Sequence, residues 1–504
     1  MRRIRAYGNA RGLLLSILAA GAACAEAPLR LHPANPHYFL YRSKPAVLIT
    51  SGEHYGSVLN LDFDYVAYLD ELRRNGFNLT RTFSGSYREQ GTSGHGPSPL
   101  SPGRGPRRFI APWAWSDTQG GFEGTRFDLD RWNPAYFARL KDFCRKAHER
   151  GVVVELVLFC RMYDDERWRS SPLHPDNNLQ GSPWRGLHQD KFLTPANAAL
   201  LERQQAVTRK IVTELRDAPN VYFEIANEPS QRAVDSDSAR EIHAWHEAII
   251  GEIVAAEASL AADRRHLIAY NADYAPGQGI GPIPKPEAVG VINFHYLMRL
   301  AETLAGYGRG KALGFDETRW IAHPRYPEYR NTMTTESGRV EAWEFLLGGG
   351  AVYSNLNHAY QVEDPSGRRP ESELFKGYLR KLMQFVTGFD FVRMRPDHGV
   401  VAAGLSSETS FWRALIEPGR QYAIYIHHSA YAEGRRSYRP SDGSRTIEVA
   451  LDLPRGSYRM EWIQPADLAI LDARRIDRHP GGRVRLTASP QHQADIALRI
   501  RASR

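Results

Sequence analysis

The chain has 504 residues, 42% of them apolar and 11% aromatic, and a formal net charge of +8. That length exceeds one ordinary core and points to two folded units plus a leader, and the apolar content excludes a disordered chain. Arg2, Arg3, Arg5 and Arg11 lie in the leader, so +4 remains, spread among many arginines, which argues against a nucleic-acid-binding surface.

Residues 1–25 have the pattern of a secretory signal. A basic start precedes Leu13 to Ala23, too short to span a bilayer, and Ala23-Cys24-Ala25 has the small-x-small form of a cleavage site. The mature start is expected near Glu26, and the protein is expected to be exported, periplasmic or extracellular. Lipid anchoring at Cys24 is the lesser alternative, because Gly21 stands where such signals carry an aliphatic residue. No later segment reads as a membrane span. Of the remaining cysteines, Cys144 falls mid-helix and Cys160 ends the next strand. They are expected at different levels of the fold, beyond disulfide reach, as buried free thiols.

Along the mature chain, Ala46 to Thr50 is a continuous apolar run, as expected of a strand buried on both faces. It ends in the polar, aromatic tip Glu53-His54-Tyr55. An amphipathic helix follows, with Tyr65, Tyr68, Leu69 and Leu72 on one stripe. Phe77 to Phe83 is a second strand, carrying Arg81. The segment from Ser84 to Asp128 lapses into Gly, Pro, Ser and Trp, and Trp113 and Trp115 favour an ordered loop. Asn133-Pro134 starts a helix as cap and first-turn proline, and Val152 to Phe159 is the third strand. A second long loop, Arg161 to Leu193, holds Tyr163, Trp168 and Trp184. A helix near Pro195 to Arg216 leads to the strand Val221 to Ile225, which runs into Asn227-Glu228-Pro229. A helix around Ala239 to Ala256 precedes a fifth strand, Leu267 to Asn271. Gly290 to Tyr296, Ala312 to Glu317 and Ala351 to Leu356 are the sixth, seventh and eighth.

Eight strand–helix alternations in roughly 360 residues predict a (β/α)₈ barrel, an α/β fold of the TIM type. Beyond about Asp397 the pattern changes to alternating strands without helices, such as Tyr422 to Ile426, Thr446 to Leu451 and Ile496 to Ile500. This predicts a small all-β sandwich. The expected organisation is a signal peptide over 1–25, a barrel over 26–395 and the sandwich over 396–504.

Barrel enzymes assemble their sites at the carboxyl ends of the strands. Glu228 ends the fourth strand and Glu317 the seventh, 89 residues later. Three βα units of about 31 residues each predict nearly that separation. Two strand-end carboxyl groups are what glycosidic hydrolysis with retention requires, one to protonate the leaving oxygen and one to attack the anomeric carbon. Glu336 is the rival nucleophile, but it also reads as a helix-start acid, favourable there without any catalytic role. Asp316 is expected on the opposite face of its strand. Tyr296 and Arg81 are placed to hold the nucleophile's carboxylate, with His295 beside them. His54 and Tyr55 are placed to line a sugar site, and the loop tryptophans Trp113 and Trp168 to stack on sugar faces. Neither a metal-binding motif nor a Gly-rich phosphate cradle is present, so no metal and no cofactor are expected. A Gly-x-Ser-x-Gly elbow is also missing, which argues against a serine hydrolase.

Phe223 to Pro229, Phe294-His295-Tyr296 and Gly314 to Thr318 resemble the cellulase-like superfamily of retaining (β/α)₈ glycoside hydrolases, clan A, over about residues 35 to 395. The resemblance implies Glu228 as acid/base, Glu317 as nucleophile, Asn227 at the sugar 2-hydroxyl, and Arg81, His295 and Tyr296 as supports of the nucleophile. The C-terminal unit resembles the small β domain labelled collagen-binding in similar proteins. Many clan members carry a tryptophan at the end of the eighth strand, where this chain has Tyr353 to His358, so the sugar platform must come from elsewhere. The expected activity is hydrolysis of a β-linked oligo- or polysaccharide. The alternatives are a transglycosidase on the same scaffold and a non-catalytic carbohydrate-binding barrel.

Overall fold

Eight strands too apolar to face water on either side lie in one parallel sheet that curls almost into a closed cylinder. They are β1 (Leu48–Gly52), β2 (Leu79–Phe83), β3 (Val153–Cys160), β4 (Val221–Asn227), β5 (Ile268–Asn271), β6 (Val289–His295), β7 (Ala312–Glu317) and β8 (Val352–Leu356). The sheet order is β1-β8-β7-β6-β5-β4-β3-β2. The computed structural model describes residues 26–89, 98–229, 237–272, 274–275, 279–296, 304–321, 332–405, 410–432, 437–486 and 488–503. The expected leader and Cys24 lie outside them.

The seam between β1 and β2 has no regular ladder, and Asn78 bridges it. Its side-chain oxygen accepts from Ile49 N at 2.9 Å, its amide donates to Val47 O at 2.8 Å, and its backbone N donates to Ile49 O at 3.4 Å. A side-chain amide can mimic a peptide group, which satisfies edge atoms that would otherwise be buried unpaired.

The outer layer comprises α1 (Tyr65–Arg74), α2 (Pro134–Glu149), α3 (Ala198–Leu215), α4 (Asp237–Ala256), α5 (Thr335–Leu347) and α6 (Pro370–Thr387). Asp64, Asn133, Asn197 and Thr334 cap four of them by accepting from first-turn amides. The expected eight alternations are not all helical among the described residues. The β5–β6 connection pairs the short strands Tyr274–Ala275 and Gly279–Ile280, and a 3₁₀ helix, Leu304–Arg309, precedes β7. Gly281, Pro282, Pro284 and Pro286 in the former cannot sustain an α-helical ladder.

Three features depart from the sequence reading. The run expected as one strand from Ala46 is divided, because Lys44–Ala46 completes a small antiparallel sheet with Arg30–His32 and Asn35–Tyr41. That sheet covers the base of the barrel, where Leu29 N donates to Pro219 O just before β4 and His37 Nδ1 meets Lys311 O just before β7. The long loop after β2 contains a hairpin, Trp113–Gln119 paired with Thr125–Trp132. Cys144 and Cys160 are both buried and unpaired.

From Arg395 onward the described chain forms antiparallel sheets, one of six strands, one of three and a two-stranded ribbon. Ile424, Ile426, Leu451, Trp462 and Leu498 fill the core between the first two. The opposite face of the six-stranded sheet adds Ala423, Tyr425, Ile463 and Ala497 to the barrel's core, and Tyr425 stacks on Trp343 of α5 at 5.3 Å. Gln421–His427 is therefore buried at every position, where alternation had implied one wet face.

Polar contacts cross the same interface. Arg339 of α5 donates twice to Asp495, both bonds at 2.9 Å, and Tyr425 also donates to Asp495. Glu344 of α5 receives Arg413 and Tyr438 and lies 3.5 Å from His427.

Candidate active site

The barrel's interior charge begins with strand alternation. Arg81 on β2, Glu155 on β3, Glu224 on β4 and Asp316 on β7 point inward and are fully buried. A charged side chain in an otherwise apolar strand is stable there only if it is met by partners. Arg81 supplies most of that pairing. Its Nε and Nη2 donate to Glu224 Oε2 at 3.0 and 2.7 Å, Nη2 also donates to Asn227 Oδ1 at 2.6 Å, and Nη1 donates to Glu317 Oε2 at 2.8 Å. Nε lies 3.3 Å from Asp316 Oδ2.

The tips of β4 and β6 are bent to serve this cluster. Glu228 and Tyr296 have φ of +45° and +47°, a left-handed conformation that non-glycine residues adopt at a cost and that concentrates at functional sites. Glu228 N donates to Asn271 Oδ1 of β5 at 3.0 Å, and Tyr296 N donates to Glu317 O at 3.2 Å. These bonds hold the bends. The β6–β7 register is irregular between Asn293 and His295, so His295 and Tyr296, adjacent in sequence, both reach the mouth.

There Tyr296 OH donates to Glu317 Oε1 at 2.5 Å. His295 Nδ1 is 3.2 Å from Glu228 Oε1 and 3.7 Å from Glu317 Oε2, and Nε2 is 3.4 Å from Asp316 Oδ2. One ligand atom from each of Glu228, His295 and Glu317 lies within 4.8 Å of the others. Glu224, His295 and Asp316 form a second such group. Either group has a metal-like composition, but the Arg81 guanidinium already meets Glu224, Asp316 and Glu317.

Titration follows from this crowding. Burial pushes the Glu155 carboxyl far up, helped by the neighbouring negative charges of Asp316 and Glu224. Burial raises Glu224 to about 7, against the pull of Arg81. Glu228 behaves differently. Burial opposes its ionisation, yet the hydrogen bond and charge of His295, with the Tyr163 hydroxyl, bring it below the usual carboxylate range. His295 is driven well above its ordinary value, because Glu317, Asp316 and Glu228 outweigh its burial. A general acid ordinarily needs a raised pKa; Glu228 sits low instead, and the raised group of the pair is His295.

Among the other expected site residues, Asn227 joins the cluster through Arg81. His54 stands at the tip of β1, where Glu53 accepts from the backbone N of Tyr55, Gly56 and Ser57. Burial, followed by the like charges of Arg81 and His295, lowers His54 to about 3, so it is neutral at ordinary pH. Tyr55 is buried behind this surface, against Phe83 and Tyr87, and its hydroxyl accepts from Glu89 N.

The structure does not bring Trp113 or Trp168 to the cluster. They are 1% and 3% exposed. Trp168 packs on Phe192 and His174 and donates to Leu187 O, while Trp113 pairs with Trp132 in the hairpin. Neither presents a face for a sugar. Glu336 sits in the first turn of α5, turned toward Ser441 and Asp442 of the C-terminal domain.

Asp316 corrects the sequence reading. It points into the barrel and meets Arg81 Nε, while Glu317, the last residue of β7, accepts from Nη1 of the same guanidinium.

Tyr163, three residues beyond β3, was not singled out. Its hydroxyl donates to Glu228 Oε2 at 2.7 Å and accepts from Asn227 Nδ2 at 2.8 Å. Glu155 and Glu224 were also passed over, although an acid inside an apolar barrel strand is a legible signal. Just beyond β8, where the sequence lacks the tryptophan, rings form a stack. His358 lies against Trp320 at 4.7 Å on one side and parallel to His54 at 5.9 Å on the other.

No protein-family profile and no curated protein matches the chain. Solved structures match it in fold. One described as a glycoside hydrolase aligns over 95% of this chain and 97% of its own, at 13% identity and a TM-score of 0.57. A family 5 glycoside hydrolase from Bacteroides vulgatus aligns over 94% and 93%, at 12% identity and a TM-score of 0.57. At such identities the likeness is one of architecture, and function has to be argued from the site. What this chain shares with these hydrolases is the (β/α)₈ barrel followed by an antiparallel β region.

Proposed function

We propose that the protein is an exported retaining glycoside hydrolase that cleaves a β-linked glycan through Glu228 and Glu317. The observation that carries this reading is the approach of the two strand-end carboxyl groups, with oxygens within 4.8 Å of each other around His295. Retaining enzymes hold their carboxyl groups about 5–5.5 Å apart, whereas inverting enzymes leave about 6.5–9.5 Å for a water.

In the first step Glu317 attacks the anomeric carbon while the bond to the leaving oxygen breaks. Arg81 and Tyr296 orient the attacking carboxylate and match its charge. The leaving oxygen takes its proton from Glu228, which draws it from His295 Nδ1. In the second step Glu228 and His295 accept a proton from water as its oxygen displaces Glu317. Asp316 holds the far side of the imidazole throughout, so His295 is a positioning and proton-holding residue.

Trapping with a 2-deoxy-2-fluoro-β-glycoside and peptide mapping tests the assignment, alongside NMR of the first-formed product anomer. The expected results are a label on Glu317 and retained configuration. Inverted product, or a label on Glu336, would overturn it.

A further inference from the structure

On the Glu228 side of the mouth the tips of β3 and β4 border a cavity of about 270 Å³, close to the lower end of the range for small-molecule sites. It belongs to the flank of Glu228 and takes no residue from β6 or β7. Arg161 N donates to Asn227 O at 3.1 Å, and Pro229, which follows Glu228, is one wall. Met162, Leu193 and Ile242 supply an apolar surface, while Lys191 and Glu241 add a charged pair at 2.6 Å.

Asp190 lines the cavity as well. Lys191 is paired with Glu241, and no hydrogen bond or carboxylate meets the Arg161 guanidinium among the described residues. Arg167, six residues further on, is by contrast buried and paired with Asp164. A planar guanidinium lining a cavity of mixed apolar and hydrogen-bonding character suits a sugar that carries a carboxylate or sulfate oxygen.

We propose that this cavity is the leaving-group subsite and that Arg161 there selects an anionic sugar, a uronate or a sulfate ester. The placement rests on Glu228 being the acid, since the leaving sugar lies on the acid's side of the scissile bond. The charge preference rests on Arg161 alone.

Titration of the full-length protein with glucuronate, glucose 6-sulfate and glucose tests it by calorimetry or ligand-observed NMR. At least one anionic sugar is expected to bind about tenfold more tightly than glucose, as one charge-assisted hydrogen bond allows. That advantage should shrink as salt is added and vanish in Arg161→Met, while Arg161→Lys keeps part of it. Which anion binds tells a uronate from a sulfate ester. Equal binding of the three sugars, or a preference that survives Arg161→Met, would overturn the proposal. Binding needs no turnover, so a lost preference leaves the catalytic pair standing. Full turnover in Glu228→Gln would instead remove the subsite's placement and leave the charge preference intact.

Discussion

Two of the buried charge clusters among the described residues are built on opposite principles. At the domain interface the acids are matched. Asp495 takes both arms of Arg339 and a tyrosine hydroxyl, and Glu344 takes Arg413, Tyr438 and His427. In the barrel mouth five carboxyl groups, Glu155, Glu224, Glu228, Asp316 and Glu317, face two bases, Arg81 and His295. The matched cluster pulls Glu344 down to about 2, overcoming its burial through His427 and Arg413. The mismatched one drives Glu155 far up and Glu224 to about 7. Balanced charges fasten the C-terminal sheets to the barrel, whereas a surplus of carboxyl groups holds protons in the barrel mouth.

The sharpest way to break this contrast is to remove the reacting groups. Glu317→Gln should lower turnover on the order of 10⁴-fold or more, and Glu228→Gln by about 10²–10⁴-fold. Circular dichroism and melting temperature should show both folds intact. A comparable loss in Glu344→Gln, with its fold intact, would erase the distinction between the clusters.

The second test is of stability. Arg339→Ala leaves Asp495 buried without its cation and should destabilise the protein by about 3–5 kcal/mol, read by urea unfolding. Turnover per folded molecule should not change.

A third test uses pH, because the two clusters respond with opposite sign. Glu344 sits near 2 in the fold against an ordinary 4.5. Its stabilisation is therefore full above about 4.5 and lost as pH falls toward 2. Glu224 is raised from 4.5 to about 7, so its contribution is full below about 4.5 and lost as pH rises to about 7. Melting temperature against pH should lose part of its acid slope in Glu344→Gln and part of its neutral slope in Glu224→Gln. Slopes unchanged in both would show that other groups set the profile.

The smallest effect concerns Tyr163. Its hydroxyl is one of the groups that hold Glu228 low, after His295. Tyr163→Phe should move the alkaline limb of the rate profile upward by less than about one pH unit. A downward shift would mean that the hydroxyl stabilises the protonated acid instead.

Strand-end positions were legible because a parallel barrel strand shows as an apolar run and its site residue stands where the run stops. His54, Asn227, Glu228, His295, Tyr296 and Glu317 follow that rule, while Arg81 stands two residues inside β2 and reaches the strand tips through its long side chain. Trp113, Trp168 and Tyr55 also looked like surfaces for a sugar, but whether an aromatic ring faces ligand or core depends on what packs behind it. The direction of Asp316 required knowing which side of β7 is the interior, and a single strand does not carry that information. Tyr163 reaches Glu228 from a neighbouring loop whose path follows no periodic pattern.

What the sequence by itself determined was the list of strands, the change from βα units to antiparallel strands, and the residues at the tips, since hydrophobic periodicity is a local property. Only the tertiary structure decided which carboxyl groups share Arg81 and His295, because that depends on distances across a barrel between residues as far apart as Arg81 and Glu317. It also decided the bends at Glu228 and Tyr296. Those conformations are unfavourable for the isolated residues and persist because neighbouring strands hold their backbone amides.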